Sequence, residues 1–464
     1  MAKRARSTSS KAVPHITIAY IGGGSRGWAH TLMNDLAVCG RLTGQVRLYD
    51  IDRPMALLNA RWGKRLNDSP FSRSRWEYTV PRTLKEALTG ADFVAASIQP
   101  GPIEMMGADL NIPLKYGIVH TVGDTVGPAG LCRALRAVGE YATIARAVQR
   151  YCPDAWLINY TNPMSVLTRT LYKVFPDAKA FGCCHEVFST QKMLAKLVEQ
   201  HHGVLPRRDE IRLNVMGVNH FCWATTATWE RIDLVKLYER HWRQKGMVRR
   251  FTADEIDRMD YFKHNGQVTH DLFVRYGVLP TGGDRHLCEF VPFYLKDAAT
   301  MQQWGLKATP YSYRHDRYID APKRFRERLA DKTPFRPKKS SEEAVEQMMA
   351  LLGMGDLHTN VNLPNVGQVE GIPRDVVVET NAYFTKDSVK PAFSGRMPQA
   401  VEALVSRAAS NQEIIVEAAL NKDKKLAFQA FLNDPLMSLP TDKAWKMFNE
   451  MLKATKALLP GWKI

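Results

Sequence analysis

Long apolar segments are absent from the sequence. No window approaches the ~20 consecutive apolar residues that a helix needs to cross a bilayer. The first residues, MAKRARSTSSKAVP, are basic and rich in serine, and the apolar segment of a secretory signal does not follow them. We therefore expect residues 1–14 to form a disordered tail, and we expect no membrane partner.

Cysteine is scarce, with 7 residues at scattered spacings in a chain of 464. An odd and irregular set of this kind does not predict a disulfide framework. Internal repeats and low-complexity segments are lacking as well. These absences favour a globular protein of the reducing cytoplasm, and the length of the chain allows two domains with sizeable cores.

Positive charge is in excess, with a formal net charge of +17 and an isoelectric point near 9.5. Such values are common in nucleic-acid-binding proteins. Here, however, the cations are dispersed through segments such as RPKKSSEE and NKDKK, and no motif combines arginines with aromatic residues. We expect a solvated basic surface without a nucleic-acid partner, whose positive field would favour the approach of an anionic substrate.

A glycine-rich motif follows the first predicted strand. Residues 15–21 alternate polar and β-branched positions, GGGSRG follows at 22–27, and a helical pattern begins directly afterwards. Glycines at the G-x-G-x-x-G spacing allow a tight turn and the close approach of a pyrophosphate to a helix N-terminus. The next strand, 45–49, ends at an acid that could bind a ribose hydroxyl and repel a 2′-phosphate, which favours NAD over NADP. The candidate cofactor-binding residues are Gly22, Gly24, Ser25, Arg26, Gly27 and Asp50. The alternative is an ordinary glycine turn beside a surface acid.

Strand and helix patterns alternate up to about residue 205. This alternation predicts an α/β fold, with a Rossmann-type parallel sheet of the lactate and malate dehydrogenase kind over residues 15–205. Polar clusters follow three predicted strands, at 99–101, 159–162 and 184–186, and the carboxyl ends of parallel strands meet in one crevice. Residues 206–464 are predicted to form an α+β domain for substrate, metal and oligomer contacts. Its expected features are two strands meeting at 217–220, an exposed linker at 331–340, and helices around 341–353, 396–421 and 441–456.

Several uncommon motifs carry a family resemblance. In chain order they are GGGSRG, the strand end at Asp50, VGDTVGPAGLCRALR, NYTNPM, GCCHEV, GVNHF and VNLPNVGQVEGIPRDVVVE. With these motifs, from residue 16 to about 380, the sequence resembles glycoside hydrolase family 4. The resemblance implies an NAD-dependent glycosidase outside the usual two-carboxylate mechanism. In the mechanism that the resemblance implies, NAD takes a hydride from sugar C3, a base removes the acidified C2 proton, the C1 group is eliminated, water adds, and the hydride returns.

The resemblance also implies a divalent metal, usually manganese, with Cys184 and His220 as ligands. Taken without the family, these residues would be a buried thiol at a strand end and a core histidine. For the adjacent Cys183 only a packing role is expected.

Acid–base roles are assigned from the same resemblance. Asp271 in DLFVRYG matches a family carboxylate that acts as the base, although some relatives use a tyrosine and Tyr276 lies nearby. Asp124 in GDT corresponds to an acidic position near the metal and the leaving group. His185 occupies the position that orients or protonates the leaving group, and Asn162 is expected to bind sugar hydroxyls.

The residues after the predicted metal cysteine indicate the substrate class. The quartet CHEV resembles the α-galacturonidase branch rather than the CHS or CHG types associated with glucosides, galactosides and glucuronides. A uronic acid carries a carboxylate, for which Arg285 and His286 are candidate partners. Glu186 would meet a hydroxyl or a basic residue, or would serve only as an acid at a helix N-terminus.

The sequence leaves alternatives to an α-galacturonidase open, both within the family and outside it. Within the family, α-glucosidase, α-galactosidase and α-glucuronidase activities are the alternatives. Outside it, an NAD-dependent hydroxy-acid or sugar dehydrogenase would share the fold, but the pair Cys184 and His220 and the VNLPN segment disfavour it. A sugar- or nucleic-acid-responsive binding protein would not need the full set of catalytic candidates. The family resemblance further implies a homodimer or homotetramer.

Overall fold

The structure, a computed structural model, describes residues 13–245, 249–263 and 265–464. The predicted tail lies outside the described residues except for its last two positions. The strands, in chain order, are β1 (His15–Ile21), β2 (Thr43–Tyr49), β3 (Trp76–Thr79), β4 (Phe93–Ala96), β5 (Trp156–Asn159), β6 (Ala180–Gly182), β7 (Arg212–Val218), β8 (Phe221–Trp229), β9 (Ile232–Asp233), β10 (Leu279–Pro280), β11 (Leu357–Pro364), β12 (Val369–Glu370), β13 (Val377–Thr385), β14 (Ser388–Pro391) and β15 (Gly395–Arg396).

Helices connect and cover these strands. They are α1 (Trp28–Cys39), α2 (Arg53–Asn67), α3 (Leu84–Leu88), α4 (Ile103–Lys115), α5 (Gly127–Tyr151), α6 (Met164–Val174), α7 (Glu186–His202), α8 (Leu234–Lys245), α9 (Ala253–Arg258), α10 (Gln267–Tyr276), α11 (Asp284–Phe290), α12 (Ala298–Gln303), α13 (Tyr311–Ala330), α14 (Ala344–Leu351), α15 (Gln399–Asn421), α16 (Lys424–Leu432) and α17 (Thr441–Ala454). Within the described parts of the chain, none of them combines the length and apolarity needed to span a bilayer.

Six parallel strands form the centre of the main sheet, in the order β3-β2-β1-β4-β5-β6. This is the strand order of a dinucleotide-binding fold, and it confirms the predicted Rossmann-type sheet. Alternate residues of β1 explain how the sheet is covered. Ile16 and Ile18 pack into the core shared with α1, α2 and α14, whereas Ala19 and Ile21 pack into the core shared with α5, α6 and α15.

The second half of the chain extends this sheet. β11 pairs antiparallel with β6, and β13 and β14 continue the antiparallel side, so that the sheet has nine strands. Sequence patterns gave no strand here because β11 and β13 carry the buried polar residues Asn360, Asn362 and Glu379 among their apolar positions. The helices expected around 341–353, 396–421 and 441–456 correspond to α14, α15 and α17.

A hairpin of β7 and β8 presents the predicted turn at Asn219–His220. It belongs to a second, four-stranded sheet with β9 and β10. His220 has a φ of +65°, in the left-handed region that few residues other than glycine adopt. The backbone of this turn therefore depends on contacts that hold it in place.

Helix α13 has no counterpart among the elements predicted from the sequence. Its 20 residues, YSYRHDRYIDAPKRFRERLA, bury only Ala321 and Phe325, and Pro322 lies inside it. Few apolar positions leave little helical periodicity to detect. The helix nevertheless packs on α2 and α4, where the Phe325 ring stacks on His30 with the ring centroids 4.3 Å apart. It therefore lies against the cofactor-binding side of the sheet.

Candidate active site

The glycine-rich loop lies between the ends of β1, β2 and β4. Gly22 and Gly23 donate their backbone N–H groups to the carbonyl of Tyr49, at 2.9 and 2.8 Å. Gly22 has a φ of +92°, and a Cβ there would lie 2.0 Å from the carbonyl oxygen of Ser97. A side chain at this position would therefore displace the loop. Glycine here is a requirement of the turn, as the motif predicts.

The same loop leaves the start of α1 available to an anion. Gly27 precedes α1 and supplies no side-chain cap, and a Cβ added to it would meet nothing within 4 Å. The Ser25 hydroxyl lies 3.4 Å from the backbone nitrogens of Gly27 and Ala29. An open helix N-terminus beside a glycine turn fits the pyrophosphate of a dinucleotide.

Two acids follow β2 and hold the loop. The carboxylate of Asp50 accepts from the backbone N–H groups of Gly24 and Asp52, each at 2.7 Å, and burial raises the pKa of this carboxyl. Arg26 forms a 2.8 Å ion pair with Asp52, and its guanidinium lies 3.6 Å above the ring of Tyr318 on α13. Asp52 and Tyr318 were not predicted as site residues, because neither belongs to the glycine motif and α13 gave no pattern.

Three potential metal ligands converge beside Asn162, which follows β5. Asp124, His220 and His286 each offer one ligand atom, and these atoms lie within 4.8 Å of one another. They come from the segment before α5, the β7–β8 turn and helix α11. The two imidazole rings stack with centroids 3.8 Å apart and an interplanar angle of 8°. One carboxylate oxygen with two imidazole nitrogens suits a divalent transition metal.

Neighbouring side chains orient both imidazoles. The Thr125 hydroxyl donates to Asp124 at 2.8 Å and lies 2.8 Å from Nδ1 of His220. Because a hydroxyl has one hydrogen, its oxygen must accept from Nδ1–H, which leaves the lone pair of the His220 Nε2 free. Nδ1 of His286 lies 2.5 Å from Glu186, and its buried Nε2 has no hydrogen-bond partner and lies 3.9 Å from Asp124. The donor set therefore fits a metal ion.

Cys184, the other predicted metal ligand, lies in the segment between β6 and α7 and is buried. Its thiol is not among the three groups that converge within 4.8 Å, and burial raises its pKa. Its ligand role stays a prediction. Cys183 packs in the core beside α14, where its sulfur lies 3.5 Å from the amide of Gln347.

A buried polar network lies behind the histidine turn. The carboxylate of Glu379 on β13 accepts from the side-chain amides of Asn219 and Asn360, at 3.0 and 2.8 Å. All three side chains are buried. Since Asn219 precedes the left-handed His220, these bonds hold the turn in a conformation that histidine rarely adopts alone. The only sequence signal for this network was the VNLPN…VVVE motif, which did not reveal its contact with residue 219.

The predicted base does not join the histidine cluster. Asp271 is buried on α10, where it accepts from Arg275 and from the Tyr294 hydroxyl, each at 2.7 Å. Among the described residues no hydrogen bond links it to Asp124, His220 or His286. A role as base would require its carboxylate to leave this ion pair, and that role stays a prediction. Tyr276 packs edge-on against Trp223.

The other predicted site residues lie around the cluster. Asn162 donates to Asp124 at 3.3 Å. His185 is half-exposed at the start of α7, near Trp28 of α1, and its hydrogen bond with Glu342 raises its pKa. Glu186 contacts His286, a basic partner of the kind expected for it, and also accepts from Gly283 at 2.9 Å. Arg285 donates to the backbone carbonyl of Thr121 at 2.9 Å.

Sequence profiles of one enzyme family match nearly the whole chain. The profile described as Family 4 glycosyl hydrolase matches residues 17–200, and that of the Family 4 glycosyl hydrolase C-terminal domain matches residues 215–437. The α-galacturonidase of Thermoanaerobacterium saccharolyticum is 48% identical over 461 residues, covering 97% of this chain and 98% of that protein. The α-galacturonidase of Bacillus subtilis is 46% identical, covering 94% of this chain and 97% of that one.

Solved structures show the same fold. The crystal structure of LplD from Bacillus subtilis has a TM-score of 0.88 at 46% identity and covers 95% of this chain and 100% of its own. A 6-phospho-α-glucosidase from gut microorganisms, solved in complex with NAD and Mn2+, has a TM-score of 0.81 at 19% identity and covers 97% and 100%.

Proposed function

The chain belongs to family 4 of the glycosyl hydrolases, and we propose from this that it is an α-galacturonidase that requires NAD and a divalent metal ion, Mn2+. The observation that carries the substrate class is the 46–48% identity, over nearly the full chain, to relatives named α-galacturonidase. The geometry supports the chemistry, because the dinucleotide loop and the histidine cluster lie at the same edge of one sheet.

When bound, NAD supplies reversible oxidation of the sugar, and the metal ion supplies stabilisation of the negative charge that develops on the sugar oxygens. Asp124, His220 and His286 would hold the metal, with Cys184 as a further ligand. The loop at 22–27 and Asp50 would hold the dinucleotide.

The remaining residues act on the substrate. Asn162, hydrogen-bonded to Asp124, is placed to meet the sugar hydroxyls beside the metal. His185 is half-exposed. Its hydrogen bond with Glu342 raises its pKa, so its imidazole is protonated more readily than a free one. It can therefore hold a proton for the departing group. Asp271 is proposed as the base that takes the proton from C2, and this requires the carboxylate to exchange its bond with Arg275 for one with the substrate.

Turnover of nitrophenyl glycosides tests this function. We expect cleavage of the α-galacturonide in preference to the α-galactoside, α-glucoside and α-glucuronide, with a strict need for NAD, Mn2+ and reductant. NADH should not accumulate, whereas a dehydrogenase would build it up. Deuterium at C2 of the sugar should exchange with solvent during cleavage. Full retention of that deuterium, or cleavage after removal of cofactor and metal, would contradict the proposal.

We further propose a cytoplasmic homodimer or homotetramer. The proposal rests on the free cysteines, the need for NAD and the family resemblance. Light scattering coupled to size-exclusion chromatography would give the number of subunits.

A further inference from the structure

Two guanidinium groups from different helices reach the same short segment beside the metal cluster. Arg314 on α13 donates to the backbone carbonyl of Val122 at 2.8 Å, and Arg285 on α11 donates to that of Thr121 at 2.9 Å. The segment continues to Asp124, only two residues beyond Val122. Two residues of extended chain span at most ~7 Å, so Val122 lies within about this distance of Asp124.

Each of these arginines retains unused hydrogen-bonding capacity. The Nε atoms of Arg285 and Arg314 are both buried without a hydrogen-bond partner. Among the described residues, no carboxylate oxygen lies within 4.0 Å of a guanidinium nitrogen of either arginine, so neither arginine forms an ion pair. A buried donor without a partner is costly, and a bound ligand is one way in which it is satisfied.

The charge of the two arginines is only partly offset by nearby carboxylates. Both guanidinium groups donate to carbonyls of adjacent residues, and burial together with the charge of Arg314 lowers the pKa of Arg285. The nearby buried carboxylate of Glu289 accepts through Oε1 from the backbone of Val122 and Gly123, at 2.7 and 2.9 Å, and its Oε2 has no hydrogen-bond partner. Asp124 belongs to the metal cluster. Asp124 and Glu289 therefore offset part of the positive charge, but neither forms an ion pair within 4.0 Å of Arg285 or Arg314 in the described part of the chain.

We propose that Arg314 acts with Arg285 to bind the carboxylate of the uronic acid, and that Arg314 thereby determines the preference for uronides over neutral sugars. This inference rests on the proposed function, since it takes the substrate to be a galacturonide. A planar guanidinium can bind both oxygens of a carboxylate. The neutral hydroxymethyl group of galactose would be a poor partner for two guanidinium groups.

Arg314→Gln tests the proposal, because glutamine keeps a polar side chain but carries no charge. We expect kcat/KM for the nitrophenyl α-galacturonide to fall roughly 30-fold or more, mainly through KM, as for the loss of a charged hydrogen bond. The galactoside rate should change less than about threefold, and Arg314→Lys should recover part of the galacturonide rate. Arg317→Gln, the same change one turn further along α13, is the matched control and should leave both rates unaltered.

Binding measurements separate this role from a structural one. Titration calorimetry with free galacturonate should show roughly tenfold weaker binding to Arg314→Gln, with unchanged affinity for Mn2+. If Arg314 only braces the segment before Asp124, then Mn2+ affinity or the rates on both substrates will fall together, and the proposal is overturned. It is equally overturned if galacturonide turnover and galacturonate binding are unaffected. A wild-type enzyme that cleaves galactosides but not galacturonides would instead refute the proposed function.

Discussion

The orientation of two imidazole rings determines what the histidine cluster can bind. Thr125 receives the Nδ1–H of His220, and Glu186 bonds to Nδ1 of His286, so both Nε2 atoms are turned toward Asp124. Hydrogen bonds of this kind fix the tautomer of a metal-binding histidine and raise its affinity for the ion. Glu186 is therefore explained by its contact with His286, beyond any effect as an acid at the start of α7.

Glu186→Gln should weaken metal binding. Glu186 accepts from both His286 and Gly283, and the amide of glutamine offers an acceptor to only one of them. We expect Mn2+ affinity, measured by electron paramagnetic resonance, to fall about 10–100-fold, with NADH affinity unchanged. Glu402→Gln, which removes a surface ion pair with Arg396, is a suitable control. Equal Mn2+ affinity in Glu186→Gln and the wild type would contradict the assigned orientation.

Asp50→Asn should reduce discrimination between the two dinucleotides. A carboxylate at the end of β2 repels a 2′-phosphate and accepts from a ribose hydroxyl, whereas a neutral amide does neither as strongly. We expect the ratio of NADH to NADPH affinity, from fluorescence titration, to fall roughly tenfold, or about 1.4 kcal/mol. An unchanged ratio at an unchanged melting temperature would show that selectivity originates elsewhere.

At the scale of elements, α1, α2 and α13 together support the glycine-rich loop. Asn59 on α2 donates to the carbonyls of Gly23 and Ser25, at 2.8 and 2.9 Å, and accepts from His30 on α1 at 2.8 Å. His30 in turn stacks between Trp62 and Phe325. The conformation of the loop therefore depends on packing between helices that are distant in sequence.

This arrangement predicts a loss of stability in acid. Burial lowers the pKa of His30 to about 4, with a smaller effect from Arg328, while the unfolded chain titrates near 6.5. Between these values the unfolded state binds a proton that the folded state does not, so stability falls as the pH drops, by on the order of 3 kcal/mol in total. Urea unfolding at pH 7.5 and 4.5 should show a smaller loss in His30→Gln, whose amide can still donate to Asn59. An equal loss in both proteins would refute this assignment.

At the scale of the whole molecule, both halves of the chain build one sheet. The core on one face of the sheet combines Phe181 of β6 with Val361, Leu363 and Phe384 from β11 and β13. The Phe181 and Phe384 rings meet edge to face, with centroids 5.1 Å apart. Without the second half, β6 would become an exposed edge strand with part of its core uncovered.

The boundary predicted at 205/206 suggests that the first part of the chain folds by itself. We expect instead that a fragment ending at residue 205 does not fold. We expect it to bind the dye ANS, to lack a cooperative unfolding transition and to have no measurable affinity for NADH. The full-length chain under the same conditions is the reference. A cooperative transition with native NADH affinity in the fragment would establish residues 15–205 as an independent domain.

Local patterns in the sequence were enough for the first part of the fold. Strand–helix alternation, the glycine spacing at 22–27 and the acid at 50 determine a Rossmann-type sheet with an open helix N-terminus, because each depends on residues adjacent in the chain. The order of the motifs up to residue 380 also correctly identified the family. No such local pattern revealed α13, whose surface is polar, or β11 and β13, whose inner positions carry amides and an acid.

Tertiary structure alone decided how the distant site residues meet. It brings Asp124, His220 and His286 together, pairs Glu186 with His286 and Asn219 with Glu379, and directs Arg285 and Arg314 to the carbonyls of adjacent residues. It also holds Asp271 in an ion pair with Arg275. These contacts join residues on separate elements, and their distances depend on how helices pack against the sheet. A sequence specifies that packing only through the whole core, so the residue types could be predicted while their partners could not.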